Sequence, residues 1–197
     1  MSLLWVVVLL LAITSVGIML ARDWRWIIIY LAVQYAGVFI LALQHWPTGM
    51  AAVKVIAGWM SAAILGMTRS NYVDEQINSN DILPQGRFFR SIAAIVVGLI
   101  VASGAPLVDA IMADAGLAVA AGGLLLVGMG LLHLGVTDRI LQVTIGLMTI
   151  LAGFEILYAA VESSVLVAAL LAVINLGLAL AGSYLLIASN ARETEAT

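Results

Sequence analysis

The chain has 197 residues, of which 64% are hydrophobic and only 10% charged, with a formal net charge of -3 at pH 7. This composition supplies too little polar surface for a water-soluble domain, and no basic run predicts nucleic-acid binding. The sequence has no cysteine, which excludes disulfides, thiolate metal sites and iron–sulfur clusters. We therefore expect an all-α membrane protein with no cofactor and no metal, surrounded by the lipid bilayer.

Seven segments are long and apolar enough to cross a hydrocarbon core about 30 Å thick as helices. They cover residues 3–21, 26–44, 49–68, 91–108, 116–135, 140–161 and 164–188. The fourth is the weakest of them, because it is short and meets Pro106 near its end. Four tryptophans, Trp24, Trp26, Trp46 and Trp59, lie mostly near predicted interfaces, where an aromatic belt is the expected role.

Arginine residues test the number of helices independently, because positive charges near helix ends stay on the cytoplasmic side. With seven helices every arginine falls on one face: Arg22, Arg25, Arg69, Arg87, Arg90, Arg139 and Arg192. Without the fourth helix, Arg139 and Arg192 would lie opposite the other five. The sequence therefore predicts a multi-pass protein of the cell's inner (plasma) membrane, with its N-terminus outside and its C-terminus in the cytoplasm.

The chain also matches itself when it is shifted by 116 residues, for example at Ala36 and Ala152 and at Gly37 and Gly153. The predicted architecture is two parallel three-helix repeats joined by a linker helix. Its divisions are a first repeat at 1–69, a cytoplasmic loop at 70–90, a linker helix with an outer loop at 91–115, a second repeat at 116–189 and a cytoplasmic tail at 190–197. Small residues in the fifth helix, such as Gly122, Gly123, Gly128 and Gly130, predict a packing surface inside the subunit or against a partner.

Ionisable residues inside a membrane are costly, so each requires a reason. The clearest are Lys54 and Glu155, about five and six residues from the predicted outer ends of their helices, or roughly 9 Å deep. At this matching depth the two side chains can reach one another, and an ion path is one interpretation. The alternative is structural: Lys54 extends outward or bonds to a partner, and Glu155 is held by neighbouring hydroxyl groups.

Other candidates for an ion path are weaker. Tyr158 and Glu162 continue the helix face of Glu155, although Glu162 is also explained as a solvated loop residue. Asn175 lies in the middle of the seventh helix, where an interhelical hydrogen bond is the alternative. His133 lies near the cytoplasmic end of the fifth helix, within predicted reach of Asp138, and can feed protons or serve merely as an interfacial residue.

Helices five to seven resemble a known family in the strings DR at 138–139, IGLM at 145–148, AGFEIL at 152–157 and AVINLGLA at 172–179. They are similar to the small K-type subunit of complex I, the C-type subunit of Mrp sodium/proton antiporters and the E-type membrane subunit of hydrogenase-4 complexes. The resemblance implies a three-helix unit with a glutamate in its middle helix and another in its third, both on a polar axis for protons. Met148 occupies the first of these positions and Asn175 approximates the second, while Glu155 lies two turns beyond Met148 on the same face.

The sequence thus predicts a membrane subunit of a complex that translocates protons or sodium ions, with antiporter-like large subunits as partners. No nucleotide, nucleophile or metal motif is present, so we expect no catalytic residue in this chain. A purely structural or assembly subunit is the second hypothesis. A free-standing small transporter is the third, although its ion path would need more polar residues than these helices carry.

Overall fold

The computed structural model describes residues 2–71, 86–112 and 115–196, with side chains for residues 3–71, 86–112 and 115–191. These ranges form seven α-helices and no β-strand. The helices are α1 (Ser2–Leu20), α2 (Trp24–Ala42), α3 (Thr48–Ser70), α4 (Arg87–Ile111), α5 (Leu117–Gly135), α6 (Ile140–Val161) and α7 (Val165–Ala196). Each is long and apolar enough to cross a membrane, which confirms the seven predicted segments.

The largest differences from the predicted boundaries concern α4 and α7. Helix α4 already begins at Arg87, inside the segment predicted as a cytoplasmic loop, and α7 continues through most of the predicted tail. Most of that loop, residues 72–85, lies outside the described residues, as do residues 113–114 of the predicted outer loop. Pro106 lies within α4 and does not end the helix.

Local sequence signals set the short connections between helices. The side chain of Asp23 accepts a hydrogen bond from the backbone N–H of Arg25 at 3.0 Å, and so caps the start of α2. Pro47 immediately precedes α3 in an extended conformation. Gly116, with φ of 81°, makes the left-handed turn that leads into α5, a conformation that favours glycine. Apart from α3 and α4, which residues 71–86 separate, successive helices are joined by three to five residues, and sequence neighbours run antiparallel.

The helices form two layers of three. In the first layer α2 lies between α1 and α3, and in the second α6 lies between α5 and α7. Each helix of the first layer also packs against one of the second, in the pairs α1/α5, α2/α6 and α3/α7. The α3/α7 pair runs parallel, since Lys54 bonds to Ala168 and Ser61, farther along α3, bonds to Asn175, farther along α7.

Helix α4 lies outside these layers, against α5 and the edge of α1. Its inward face contributes only Ala94, Val101 and Ala105 to the buried residues of the described part. At its start, Nη1 of Arg90 donates a hydrogen bond to the backbone oxygen of Met19 at 3.2 Å, which satisfies a carbonyl in the last turn of α1. The rest of the helix presents apolar side chains to its surroundings, as a membrane helix does.

The alternation of helix directions brings the arginines of the described residues to one end of the bundle. We call this the arginine end; it carries Arg22, Arg25, Arg69, Arg87, Arg90 and Arg139 near helix termini. The opposite, arginine-poor end carries residues 43–47 and 162–164 and the connection from α4 to α5. This distribution is the one on which the positive-inside rule operates, and it underlies our prediction that the arginine end faces the cytoplasm.

The closest helix contact lies between α5 and α6, along a seam that we call the glycine interface: Gly123 and Gly130 on α5, and Gly146 and Gly153 on α6. A Cβ atom at Gly153 would lie 2.6 Å from the carbonyl oxygen of Gly123, and one at Gly130 would lie 2.9 Å from that of Gly146. The backbones therefore touch, which only glycine permits. The small residues predicted in the fifth helix serve packing within this chain.

Candidate functional site

Lys54 of α3 and Glu155 of α6 form a buried ion pair between the two layers. The Lys54 Nζ atom lies 2.8 Å from Oε1 of Glu155, and the two side chains are only 2% and 3% exposed. Both residues lie six positions inside their helices, Lys54 after Thr48 and Glu155 before Val161, or ~9 Å along the helix axis from the arginine-poor end. The expected approach of the two charges is confirmed, and Lys54 does not extend outward.

The Lys54 ammonium group has two further contacts. It donates a hydrogen bond to the backbone oxygen of Ala168 in α7 at 3.1 Å. It also lies 5.8 Å from the centre of the Trp46 ring, within the range of a cation–π interaction. A carboxylate, a carbonyl and an aromatic face therefore surround one ammonium, which offsets much of the cost of removing it from water.

Trp46 covers the ion pair on the side of the arginine-poor end. Although it belongs to the short α2–α3 connection, its side chain is only 3% exposed. Its indole N–H donates to the backbone oxygen of Glu162 at 2.9 Å, and its ring meets that of Tyr158 edge-on at 6.4 Å. With Ala159 and Ala168 it forms a small apolar cluster separate from the main core. The aromatic-belt interpretation is therefore wrong for Trp46.

A second pair of polar residues joins the layers about one heptad deeper. The hydroxyl group of Tyr35 in α2 donates to Oδ1 of Asn175 in α7 at 2.7 Å, and the Ser61 hydroxyl donates to the Asn175 backbone oxygen at 3.4 Å. The Tyr35 ring lies directly against Gly58, where an added Cβ would be 2.2 Å from the ring. Asn175 thus makes the interhelical hydrogen bond that was the alternative to a role in an ion path, and it lies in the same interface as the ion pair.

Gln34 and Thr149 extend this set of polar contacts through the middle of the bundle. Nε2 of Gln34 donates to the Thr149 hydroxyl oxygen at 3.3 Å, and that hydroxyl donates in turn to the backbone oxygen of Ile145. Among the described residues, Oε1 of Gln34 has no hydrogen-bond partner. We call the whole set the polar interface; it consists of Gln34, Tyr35, Lys54, Ser61, Thr149, Glu155 and Asn175.

The remaining candidates lie outside this set or at its edge. The Glu162 side chain is exposed, and only its backbone oxygen takes part, as the acceptor for Trp46. Tyr158 is half-buried and stacks on Phe154 at 6.1 Å. His133 is buried at the arginine end, where its Nε2 atom has no hydrogen-bond partner among the described residues. No hydrogen bond or ion pair joins His133 to Asp138, which is exposed.

Sequence reasoning missed Trp46, Tyr35 and Thr149. A tryptophan near a helix end and a tyrosine or threonine in an apolar helix look unremarkable, because nothing local shows which helix they face. One signal was present: four of the bonds between the layers join residues 114 to 116 positions apart, as in Ser61–Asn175 and Trp46–Glu162. Applied to Trp46, the 116-residue shift leads directly to Glu162 and so to the end of α6.

Comparisons with protein-family models, with curated proteins and with solved structures find no match. Within the described ranges, no three histidine or carboxylate side chains come together as metal ligands would. The polar interface is therefore the basis for the proposed function.

Proposed function

We propose that this chain is a membrane subunit of a multi-subunit complex that translocates protons or sodium ions. The complex is related to complex I, to membrane-bound hydrogenases of the hydrogenase-4 type or to Mrp antiporters. One observation carries the proposal: a fully buried lysine–glutamate pair inside a bundle of membrane helices. The partners would be antiporter-like large subunits, and the location would be the inner (plasma) membrane, with the N-terminus outside.

Stability alone does not account for such a pair. Moving two charges out of water costs several kcal/mol per ion, about as much as their mutual attraction returns, and well-packed apolar residues often serve equally well. Two charges retained inside a membrane therefore favour a role in moving charge. Glu155 can accept a proton, which removes the attraction that holds the Lys54 ammonium group in place. Loss of that attraction would let the ammonium group move or pass on a proton.

The rest of the polar interface supplies a direction for this movement. Tyr35 and Asn175 lie about two turns deeper than the pair, and Gln34 and Thr149 lie beside them near the centre of the bundle. Their hydroxyl and amide groups are able to exchange hydrogen-bond partners without carrying charge. We assign to them the inner part of an ion path that begins at Glu155 and leads toward the arginine end.

The parallel pairing of helices supports the duplication that the sequence suggests. Each helix of the first repeat contacts its counterpart 116 positions later, and four hydrogen bonds join residues 114 to 116 positions apart, whereas Lys54–Glu155 and Tyr35–Asn175 have separations of 101 and 140. Because all three counterpart pairs are in contact, the second repeat would be a copy shifted sideways and not one rotated about a two-fold axis. This arrangement agrees with the resemblance of the second repeat to a three-helix subunit of ion-translocating complexes.

Replacing Glu155 by glutamine tests the proposal, with Glu162→Gln as a matched control. The complex would be purified in mild detergent, its partners identified, and ion movement measured after reconstitution. We expect Glu155→Gln to assemble but to lower the rate about 100-fold or more, the order typical of one proton-transferring group. Glu162→Gln should leave the rate unchanged, because that side chain is exposed. Undiminished pumping by Glu155→Gln would exclude Glu155 from the path.

A structural subunit is the second candidate, and one observation favours it. The Lys54 ammonium group already has a carboxylate, a backbone oxygen and an aromatic ring as partners. In that case Lys54 and Glu155 would fix α3 against α6 and α7, and the double variant Lys54→Met/Glu155→Leu would assemble and remain active. A free-standing small transporter is a third possibility. It would be recovered from mild detergent alone or as a homo-oligomer, without large partner subunits.

A further inference from the structure

The surroundings of Trp46 carry a further inference, which rests on the proposed function because it concerns access to the same ion pair. Trp46 lies in a connection between two helices, where side chains are usually solvated, yet almost none of its surface is exposed. Its ring faces the Lys54 ammonium group on one side, and its edge meets Tyr158. It therefore occupies the space between the ion pair and the arginine-poor end.

One hydrogen bond closes this cover. The indole N–H reaches the backbone oxygen of Glu162, the residue that directly follows α6. The cover thus joins the α2–α3 connection of one layer to the α6–α7 connection of the other. Both connections are short irregular segments, which move more easily than the helices that they join.

We infer that Trp46 is the gate through which an ion reaches the Lys54–Glu155 pair from the arginine-poor end, and that the structure describes its closed position. In this position Trp46 holds the ammonium group against Glu155 and keeps water away from both. Opening breaks the bond to Glu162 and swings the ring away from Lys54. The side chains of Glu155 and Lys54 then become accessible from the arginine-poor end and remain inaccessible from the arginine end.

Zero-length cross-linking of the pair measures this access without measuring transport. A water-soluble carbodiimide adds to the Glu155 carboxyl group, and the deprotonated Lys54 amine displaces the resulting urea, so that an amide forms with net loss of one water. The peptides joined through Lys54 and Glu155 are then quantified by mass spectrometry. The reagent would be added to one side of sealed vesicles that contain the whole complex, with separate preparations for each orientation.

We expect slow cross-linking of the natural chain from the arginine-poor side and still slower cross-linking from the arginine side. Trp46→Ala should accelerate the reaction from the arginine-poor side at least about tenfold, because a hydrogen bond and a desolvated cation–π contact are lost together. Trp46→Phe keeps an aromatic cover but has no N–H group, so its cross-linking rate should lie between those of the natural chain and Trp46→Ala. Trp59→Ala is the matched control: Trp59 also donates its indole N–H to a backbone oxygen, that of Ala32 at 3.0 Å, but it is 53% exposed and, five residues after Lys54, lies on a different face of α3.

Equal acceleration by Trp59→Ala, or acceleration from the arginine side, would overturn the inference. Equal rates from the two sides in the natural chain would also overturn it, and that comparison holds even where Trp46→Ala fails to fold. The outcome is separate from that of the proposed function. Intact pumping by Glu155→Gln is compatible with control of cross-linking by Trp46, and loss of pumping in Glu155→Gln does not depend on any result with Trp46.

Discussion

Two interfaces hold the bundle together by opposite means. Along the glycine interface, α5 and α6 approach until backbone atoms touch, and no side chain lies between Gly123 and Gly153. Across the polar interface, side chains such as Lys54 and Glu155 join the helices. In lipid, where apolar burial drives no association, close packing and interhelical hydrogen bonds are the two remaining forces. Adding atoms therefore disrupts the glycine interface, and deleting polar atoms disrupts the polar interface.

The largest expected effect is at the polar interface. Lys54→Met deletes the ammonium group and leaves the Glu155 carboxylate buried without a counter-charge, which destabilises a protein by about 3–5 kcal/mol. Unfolding of the purified protein by a denaturing detergent measures the change. A loss below about 1 kcal/mol, the range of exposed ion pairs, would mean that water already reaches Glu155.

The double variant Lys54→Met/Glu155→Leu sharpens the same comparison. With both charges gone, no unpaired group remains, so we expect most of the stability lost in Lys54→Met to return. The two single variants and the double variant form a thermodynamic cycle whose coupling energy reports the pair alone. A double variant as unstable as the worse single variant would show that packing, and not charge, dominates at this position.

An intermediate effect is expected at the glycine interface. Gly153→Ala adds a Cβ atom that meets backbone atoms of α5, namely the carbonyl oxygen of Gly123 at 2.6 Å and the nitrogen of Val127 at 2.8 Å. Backbone cannot rotate away as a side chain does, so the helices must separate, at a cost of about 1–3 kcal/mol. Gly177→Ala is the control, because nothing lies within 4 Å of its added Cβ. Equal unfolding midpoints for the two variants would contradict the close contact.

The smallest effect belongs to the neutral part of the polar interface. Tyr35→Phe removes only the hydroxyl group that donates to Asn175, so we expect a loss of about 1 kcal/mol. Gly58→Ala should cost more, because its Cβ would clash with the Tyr35 ring and push the whole side chain away from Asn175. The same unfolding assay compares the two, and a Gly58→Ala variant as stable as the natural chain would show that Tyr35 has another position available.

Much of the fold follows from features that are local in the sequence. Hydropathy and arginine placement predict all seven helices, because each feature depends only on a segment and its ends. The depth of Lys54 and Glu155 even predicts their approach, since an unpaired charge in lipid needs a partner. Helix α4 extends beyond its predicted range at both ends, because Arg87 to Arg90 and Val108 to Ile111 are able to continue a helix that hydropathy alone ends earlier.

The residues around the ion pair required knowledge of which helices are neighbours. The Ala168 backbone oxygen accepts from Lys54 only because α7 packs beside α3. Every residue has a backbone carbonyl group, so the sequence does not indicate which one acts as the acceptor. Tyr35 reaches Asn175 only because Gly58 leaves room for its ring. His133 is buried while Asp138 is exposed, because closeness in the chain does not fix the direction in which a side chain points.

The depth of Glu155 determines how much of the membrane potential acts on a charge that reaches it. The pair lies ~9 Å from the arginine-poor end of a hydrocarbon layer about 30 Å thick, or roughly one third of the way across. An ion that reaches Glu155 from that end therefore crosses only about a third of the membrane potential, or ~0.7 kcal/mol per 100 mV for one elementary charge. The remaining two thirds of the voltage drop fall between the pair and the arginine end, so the inner part of the proposed path would be the more strongly voltage-dependent one.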